Sequence, residues 1–106
     1  MAKYLITASY TADGAKGLLK DGGSKRRAAA EQAIKSAGGK LEAFYFAFGD
    51  NDAYVIIDAP DNATVVASSV AINASGAVHT KTVVLLTPEE VDQAVKKAVA
   101  YAAPGR

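Results

Sequence analysis

The sequence predicts an α+β fold in which two helices cover one face of a four-stranded antiparallel sheet. A hairpin signal lies near the middle of the chain, where two apolar runs between residues 40 and 58 flank a polar turn. Strand and helix patterns on both sides of this hairpin follow the order β-α-β-β-α-β, and a C-terminal helix comes after them. The 106 residues, half of them hydrophobic, suffice for one domain with a single core. This order is the ferredoxin-like, or split βαβ, pattern.

The first strand is predicted over Lys3 to Tyr10, and its side chains alternate between two faces. One face carries Tyr4, Ile6, Ala8 and Tyr10, and the other carries Lys3, Leu5, Thr7 and Ser9. Residues 11–14 break the strand, and we expect a short turn of helix over Gly17 to Lys20. The first full helix is predicted to begin at Ser24, a good N-cap after two glycines, and to end near Ala37. Its inner stripe is predicted to be Ala29, Ala30, Ala33, Ile34 and Ala37.

The central hairpin joins two strands, Leu41 to Phe48 and Ala53 to Ile57, through a turn over Gly49 to Asp52. Strict alternation places Phe44, Phe46 and Phe48 on one side of the first of these strands and Leu41, Ala43, Tyr45 and Ala47 on the other. A second helix is predicted after Pro60, with Asp61 or Asn62 as its cap and Gly76 as its end. Its inner stripe is predicted to be Val65, Val66, Ser69, Val70 and Asn73.

The fourth strand, Val78 to Leu86, is predicted at the edge of the sheet. Residues 87–90 form a capping box with proline at the first helical position, so we expect the third helix to run from about 88 to 102. Both strand faces look apolar, as Val83 opposite Val84 illustrates, although helices in this topology cover only one face. We therefore expect a second copy of the chain to cover the other face in a homodimer. The alternative is that the third helix covers that face itself.

Composition excludes several kinds of function. The net charge of +1 gives no general attraction to nucleic acid or to anionic membranes. The chain has no cysteine and one histidine, which leaves no disulfide framework and no Cys/His metal site within one subunit. No apolar run approaches the roughly 20 residues of a membrane span, and the N-terminus lacks a signal-peptide pattern. We expect one cytoplasmic domain over residues 1–106, and the sequence identifies no metal and no cofactor.

Three long stretches carry a resemblance to a known family, and together they span nearly the whole chain. They are YLITASYTADGAKGLLKDGGSKRRAA, GGKLEAFYFAFGDNDAYVIIDAPDNA and ASGAVHTKTVVLLTPEEVDQA. In these stretches the chain resembles the GYD-domain proteins, a bacterial group named for a Gly-Tyr-Asp signature. Gly49 and Asp52 stand at the glycine and aspartate places, but the signature is not intact, because Asp50 and Asn51 lie between them and the nearest tyrosine is Tyr54.

The resemblance implies a dimeric α/β barrel, in which two ferredoxin-like subunits face each other. Relatives by fold include small monooxygenases, haem-degrading enzymes, lactone isomerases, dehalogenation-type enzymes and ligand-binding domains. This breadth means that the fold does not decide the function. The resemblance supplies no agreed activity and no catalytic residues.

Three groups of residues are candidates for a site. His79 is the chain's one histidine, the residue type whose unperturbed pKa lies near neutrality, and Lys81, two positions along the strand, projects from the same face. If this face lines a cavity, His79 would be a general base or a haem ligand, and Lys81 would hold an anionic group. If it lies at a solvent-exposed sheet edge, both would be ordinary surface residues. A second group, Ser24, Arg26 and Arg27, begins a helix and would bind a phosphate or a carboxylate, or would simply be solvated.

The third group consists of tyrosines, each with an apolar ring and a polar tip: Tyr4, Tyr10, Tyr45 and Tyr54. They would line a pocket for a flat apolar ligand or pack in the core and at an interface. Three functions stay open at this point. The leading one is a homodimeric small-ligand-binding or assembly module; the others are a barrel-type enzyme using His79 and a building block of a larger homo-oligomer.

Overall fold

The computed structural model describes residues 1–106 as a four-stranded antiparallel sheet with helices on one face. The strands are β1 (Ala2–Tyr10), β2 (Lys40–Phe46), β3 (Ala53–Ala59) and β4 (Val78–Leu85), in the spatial order β2-β3-β1-β4. The helices are α1 (Ala12–Asp21), α2 (Gly23–Ser36), α3 (Asn62–Ala74) and α4 (Pro88–Val95). This topology confirms the predicted ferredoxin-like fold, with β2 and β4 at the edges. None of the four helices has the length and apolar composition that a membrane crossing requires.

The hydrophobic core lies between the sheet and the helices α2 and α3. Alternation along β1 places Tyr4, Ile6 and Ala8 in it, as predicted, and α2 and α3 contribute Ile34 and Val65. The remaining buried apolar side chains are Leu41, Ala53, Val55, Ile57, Ala59 and Val78. Only 12 of the 106 residues are buried, so a single chain leaves much of its apolar surface in contact with solvent.

The segment after β1 forms a complete helix, where the sequence predicted only a short turn over Gly17 to Lys20. Thr11 caps this helix, since its Oγ1 accepts a hydrogen bond from the backbone N–H of Gly14 at 3.2 Å. The Thr11 hydroxyl also donates to the Gly76 carbonyl at 2.8 Å, which ties the helix start to the loop before β4. The two interior glycines lower the helix propensity of this segment, and tertiary contacts outweigh that deficit.

Ser24 is not the N-cap of α2, because the helix begins one residue earlier, at Gly23. The N-cap position belongs to Gly22, which has a φ of +80° and makes no side-chain cap. The same glycine ends α1, where its N–H bonds the Leu18 carbonyl at 2.8 Å. Gly22 therefore joins two consecutive helices through one left-handed residue.

A β-bulge in β2 changes which side chains face the core. The pairing of β2 with β3 slips between Leu41 and Ala43, so that Glu42 is the extra residue. Leu41 consequently lies on the same face as Phe44 and Phe46, although strict alternation predicted opposite faces. The rings of Phe44 and Phe46 meet edge to face, with centroids 5.1 Å apart, and Phe44 packs on the core.

The buried stripe of α3 differs from the predicted one. Val65 and Ser68 are buried and Ile72 is half-buried, whereas Val66 and Val70 are 58% and 63% exposed. A serine can lie in this position because its hydroxyl donates to the Thr64 carbonyl one turn earlier, at 3.1 Å. The two exposed valines therefore lie outside the core, at the solvent side of α3.

The ends of α3 match the prediction. Asp61 is the N-cap, and its Oδ1 accepts hydrogen bonds from the backbone N–H and the hydroxyl of Thr64, both at 2.8 Å. The backbone hydrogen bond, and after it the hydroxyl, lowers the pKa of the Asp61 carboxyl below its usual value. Gly76, at a φ of +76°, follows the helix end as expected.

The C-terminal helix begins as predicted and ends early. The Thr87 side chain accepts from the Glu90 N–H, and the Glu90 side chain accepts from the Thr87 N–H, both at 3.1 Å. However, α4 ends at Val95 rather than near residue 102, and every residue from 88 to 102 is exposed. Helix α4, which is the third helix of the sequence prediction, therefore does not cover the sheet face that α2 and α3 leave open. Without such packing a short helix has little support, which accounts for its early end.

Candidate functional site

The sheet separates the predicted site residues into two groups on opposite faces. His79, Lys81, Tyr45 and Tyr54 lie on the face without helices, which we call the open face. Tyr4 and Tyr10 lie on the helix-covered face, where the N-terminal part of α2 brings Arg26 close to Tyr10. No single site within one chain therefore includes all the predicted residues.

The open face is organised in rows that cross the strands. Register pairs place Ala43, Ile56, Leu5 and Val83 side by side in an apolar row across all four strands. The next row toward the C-terminal end of β1 consists of Tyr45, Tyr54, Thr7 and Lys81. Beyond it, Ser9 of β1 pairs with His79 of β4. The open face is thus mixed, with an apolar row at its centre and polar side chains toward one end, and it is less uniformly apolar than predicted.

An ion cluster borders the apolar row on its other side, toward the N-terminal end of β1. Lys3 Nζ lies 2.5 Å from Glu42 Oε2 and 3.0 Å from Asp58 Oδ1. Hydrogen bonds to Glu42 first, and to Asp58 second, raise the pKa of Lys3 above its usual value. The bulge that inserts Glu42 into β2 therefore also provides one acid of this cluster. The three side chains satisfy one another, which leaves the apolar row between paired charges and the polar end.

His79 is exposed on the edge strand β4. Its cross-strand neighbour is Ser9, which donates its own hydroxyl hydrogen bond to the Asp50 carbonyl at 3.2 Å. Lys81 is likewise exposed, beside Thr7. Within one chain, Thr7, Ser9, His79 and Lys81 form a solvent-exposed polar strip. A second surface over the open face is needed to enclose it. The sequence marks His79 and Lys81 as candidates by their chemistry but does not mark Thr7 and Ser9, although strand alternation places those two hydroxyls on the same face of β1.

The four tyrosines have different surroundings. Tyr4 is buried, and its hydroxyl donates to Asn62 Oδ1 at 2.6 Å, so it joins the core to the start of α3. Tyr45 and Tyr54 pair across β2 and β3 and are 71% and 40% exposed. Tyr10 is half-buried and lines a cavity on the helix side. Tyr45, Tyr54 and Tyr10 have exposed or half-buried rings, whereas the ring of Tyr4 is 3% exposed.

The hairpin turn holds the end of β1. Asp52 Oδ2 accepts a hydrogen bond from the Tyr10 backbone N–H, and the Asp52 N–H donates to the Ala8 carbonyl, both at 2.8 Å. Gly49 adopts a φ of +113°, which the turn requires. The residues at the glycine and aspartate places of the signature thus shape the turn and attach it to the central strand.

The predicted anion group at the start of α2 is only partly assembled. Ser24 and Arg27 are exposed, whereas Arg26 lines the helix-side cavity together with Tyr10. Lys25 Nζ lies 3.6 Å from Asp21 Oδ1, one turn earlier. The structure therefore separates Arg26 from its neighbours and places it beside an apolar cavity, which the sequence pattern did not indicate.

Comparisons with known proteins add the following findings. The family model described as the GYD domain matches residues 4–95. The crystal structure of MtbAldR superposes with a TM-score of 0.58 and 18% sequence identity, over 97% of this chain and 57% of that chain. At this identity the likeness shows the fold alone, and this chain spans little more than half of the length of MtbAldR. No curated protein matches the sequence.

Proposed function

Because the chain belongs to the GYD domain family, as the match over residues 4–95 shows, we propose that it acts as a homodimeric assembly and ligand-binding module of the ferredoxin-like type. In this proposal two copies pack their open faces together. One observation carries it: the apolar row Ala43, Ile56, Leu5 and Val83 crosses the whole open face, and no element of the same chain covers it.

The size of the open face suggests a role for the C-terminal segment as well. Four strands about 4.8 Å apart and about seven residues long give a face of roughly 400 Å² in plan. A stable interface buries about 800 Å² on each partner, so the sheet supplies about half of that area. We place the rest on residues 86–106, whose apolar side chains Leu86, Val91, Val95, Val99 and Tyr101 are 45–80% exposed. This segment projects from the domain, since the radius of gyration is 17.0 Å where about 13 Å is expected for this length.

Light scattering after size exclusion tests the assembly. The expected mass at micromolar concentration is twice the 10.9 kDa of one chain. Val83→Lys places a charge in the apolar row of both copies and is expected to weaken association at least 100-fold. Leu19→Lys is the matched control, because Leu19 is 87% exposed on α1, away from the open face, and its replacement leaves the mass unchanged. A wild-type monomer, or equal effects of the two variants, contradicts the proposal.

The polar strip gives this assembly a ligand site. When two open faces meet, Thr7, Ser9, His79 and Lys81 become enclosed next to the apolar row, where a small polar or anionic molecule fits. Native mass spectrometry of protein purified from its own host reports subunit number and any retained molecule together. We expect the His79→Ala and Lys81→Ala variants to lose that molecule while they remain dimeric. Retention by both variants excludes the strip as the ligand site.

The strip also supports the alternative of an enzyme. A histidine beside two hydroxyls and a lysine has the groups for general acid–base catalysis once water is excluded. In that case His79→Ala lowers turnover of the bound molecule by about 100-fold or more without changing the dimer. Unchanged turnover removes the catalytic role and leaves the binding module.

A further inference from the structure

We propose that the helix-covered side of the domain holds a second site, which binds a small aliphatic amino acid or a zwitterion of similar shape. The alkyl group occupies an apolar cavity beside β1 and β4, and the charged groups lie at its mouth, between α1 and α2. This site lies on the other side of the sheet from the open face. It therefore does not depend on the proposed homodimer.

The cavity is apolar and small. Most of its lining is hydrophobic, and the principal side chains are Ile6, Ala8, Ile34, Phe44, Ile72 and Val78. Its volume is about 40 Å³. A water needs about 10–15 Å³ of such space, so the cavity corresponds to about three waters or to an alkyl group of about three carbons. Its lining offers a group of that size apolar contacts and few hydrogen bonds.

Arg26 is the charged residue at this cavity. It lines the apolar cavity and also an adjoining cleft of about 140 Å³ under α1, so the two spaces meet at Arg26 and Tyr10. No carboxylate lies within 4.0 Å of the guanidinium, since the ion pairs of the chain involve only Lys3 and Lys25. The Tyr10 hydroxyl also has no hydrogen-bond partner within the chain. A carboxylate in the spaces that these two residues line would therefore compete with no other group of the chain for the guanidinium or the hydroxyl.

The adjoining cleft carries acids as well. Asp13, in the first turn of α1, and Asp21, at its end, both line it. A ligand with only a carboxylate would be repelled by these acids, and a ligand with only an amine would be repelled by Arg26. A ligand that carries a carboxylate, an ammonium group and a short alkyl chain on one carbon matches all three features. That combination defines an aliphatic α-amino acid.

Nuclear magnetic resonance titration of the intact chain tests the ligand class with three probes that share one branched alkyl group. L-valine carries both charges, isovalerate lacks the ammonium group, and isobutylamine lacks the carboxylate. We expect saturable shifts of the Val78 and Tyr10 backbone amides with valine, and at least tenfold weaker binding of the other two probes. No saturable shift with valine overturns the proposal, and so does equal binding of isovalerate.

Adjacent arginines on one helix provide a matched pair of variants. Arg26→Gln is expected to weaken valine binding at least tenfold, whereas Arg27→Gln, at an exposed position of α2, leaves it unchanged. Asp13→Asn tests the ammonium partner independently, if Arg26→Gln fails to fold, and is also expected to weaken valine at least tenfold. Equal effects of the two arginine variants, or valine binding unaffected by Asp13→Asn, contradict the assignment of the charged groups.

Discussion

Gly14 provides the sharpest stability test, because the first helix approaches the loop before β4 most closely there. A Cβ atom added to Gly14 would lie 2.0 Å from the Ala77 carbonyl oxygen and 3.1 Å from Cδ1 of Tyr10. The first of these distances is far inside van der Waals contact, and the obstacle is backbone rather than a flexible side chain. The variant Gly14→Ala must therefore displace α1 from the loop by about 1 Å.

The expected loss in the free energy of unfolding follows from the contacts of Gly14. Overpacking costs about 1–3 kcal/mol. Displacement also stretches the 3.0 Å hydrogen bond from the Thr11 N–H to the Ala77 carbonyl, which adds about 1 kcal/mol. Alanine returns about 1 kcal/mol through its better helix propensity. The net destabilisation is about 2 kcal/mol, or roughly 10 °C in Tm for a domain of this size.

Gly17→Ala is the control in the same helix, since a Cβ there meets nothing within 4 Å. It is expected to stabilise the protein by about 0.5–1 kcal/mol. Urea unfolding followed by circular dichroism, at one protein concentration for all variants, gives both free energies and keeps the contribution of any association the same in each. If Gly14→Ala is as stable as Gly17→Ala, α1 does not approach the loop before β4 as closely as described.

Three further variants test side-chain hydrogen bonds. Because the pKa of Asp61 is lowered in the folded state, its carboxylate stabilises the fold above the unfolded pKa, and this contribution disappears as pH falls through the folded pKa, below about 4. Asp61→Asn keeps a good cap but is expected to flatten this acid limb of a pH series of thermal melts; an unchanged slope excludes the role. Asn73 donates to Ser69 O at 2.6 Å and to Thr80 Oγ1 at 2.8 Å, and accepts from the Thr80 N–H at 3.0 Å. Asn73→Ala is expected to cost about 1–3 kcal/mol in urea unfolding, against a smaller loss for Thr80→Val, and the reverse order refutes this bonding.

Most of the fold could be predicted from the sequence, because local signals agree with one another at the element ends. Asp61, Thr87 and Gly76 each have a clear chemical reason to begin or end a helix, and the structure places them in those roles. The alternation of β1 was also correct, since one strand face enters the core. These features depend on a few neighbouring residues and on little else.

The errors arise where distant contacts decide. Nothing local marks Glu42 as a bulge, so strict alternation placed Leu41 and Phe44 on opposite faces of β2. The glycines of α1 lower its helix propensity, and the sequence gives no reason for them. The structure gives one for Gly14, because a Cβ there would clash with the Ala77 backbone. The same limit applies to the helix-side site, because Arg26 and Tyr10 are 16 positions apart in sequence and only the packing of α2 on the sheet brings them together.

The position of β1 in the sheet has a consequence for how the chain matures during synthesis. The first strand to be made lies between β3 and β4, so it must wait for the last strand before its second edge is paired. Such long-range pairing is slow, and until it forms, the backbone N–H and C=O groups along one edge of β1 stay unpaired and can pair with another chain. Residues 88–102 are all exposed and add nothing to the core, so closure of the sheet does not require them. The pairing of β4 with β1 is therefore the step that completes the sheet.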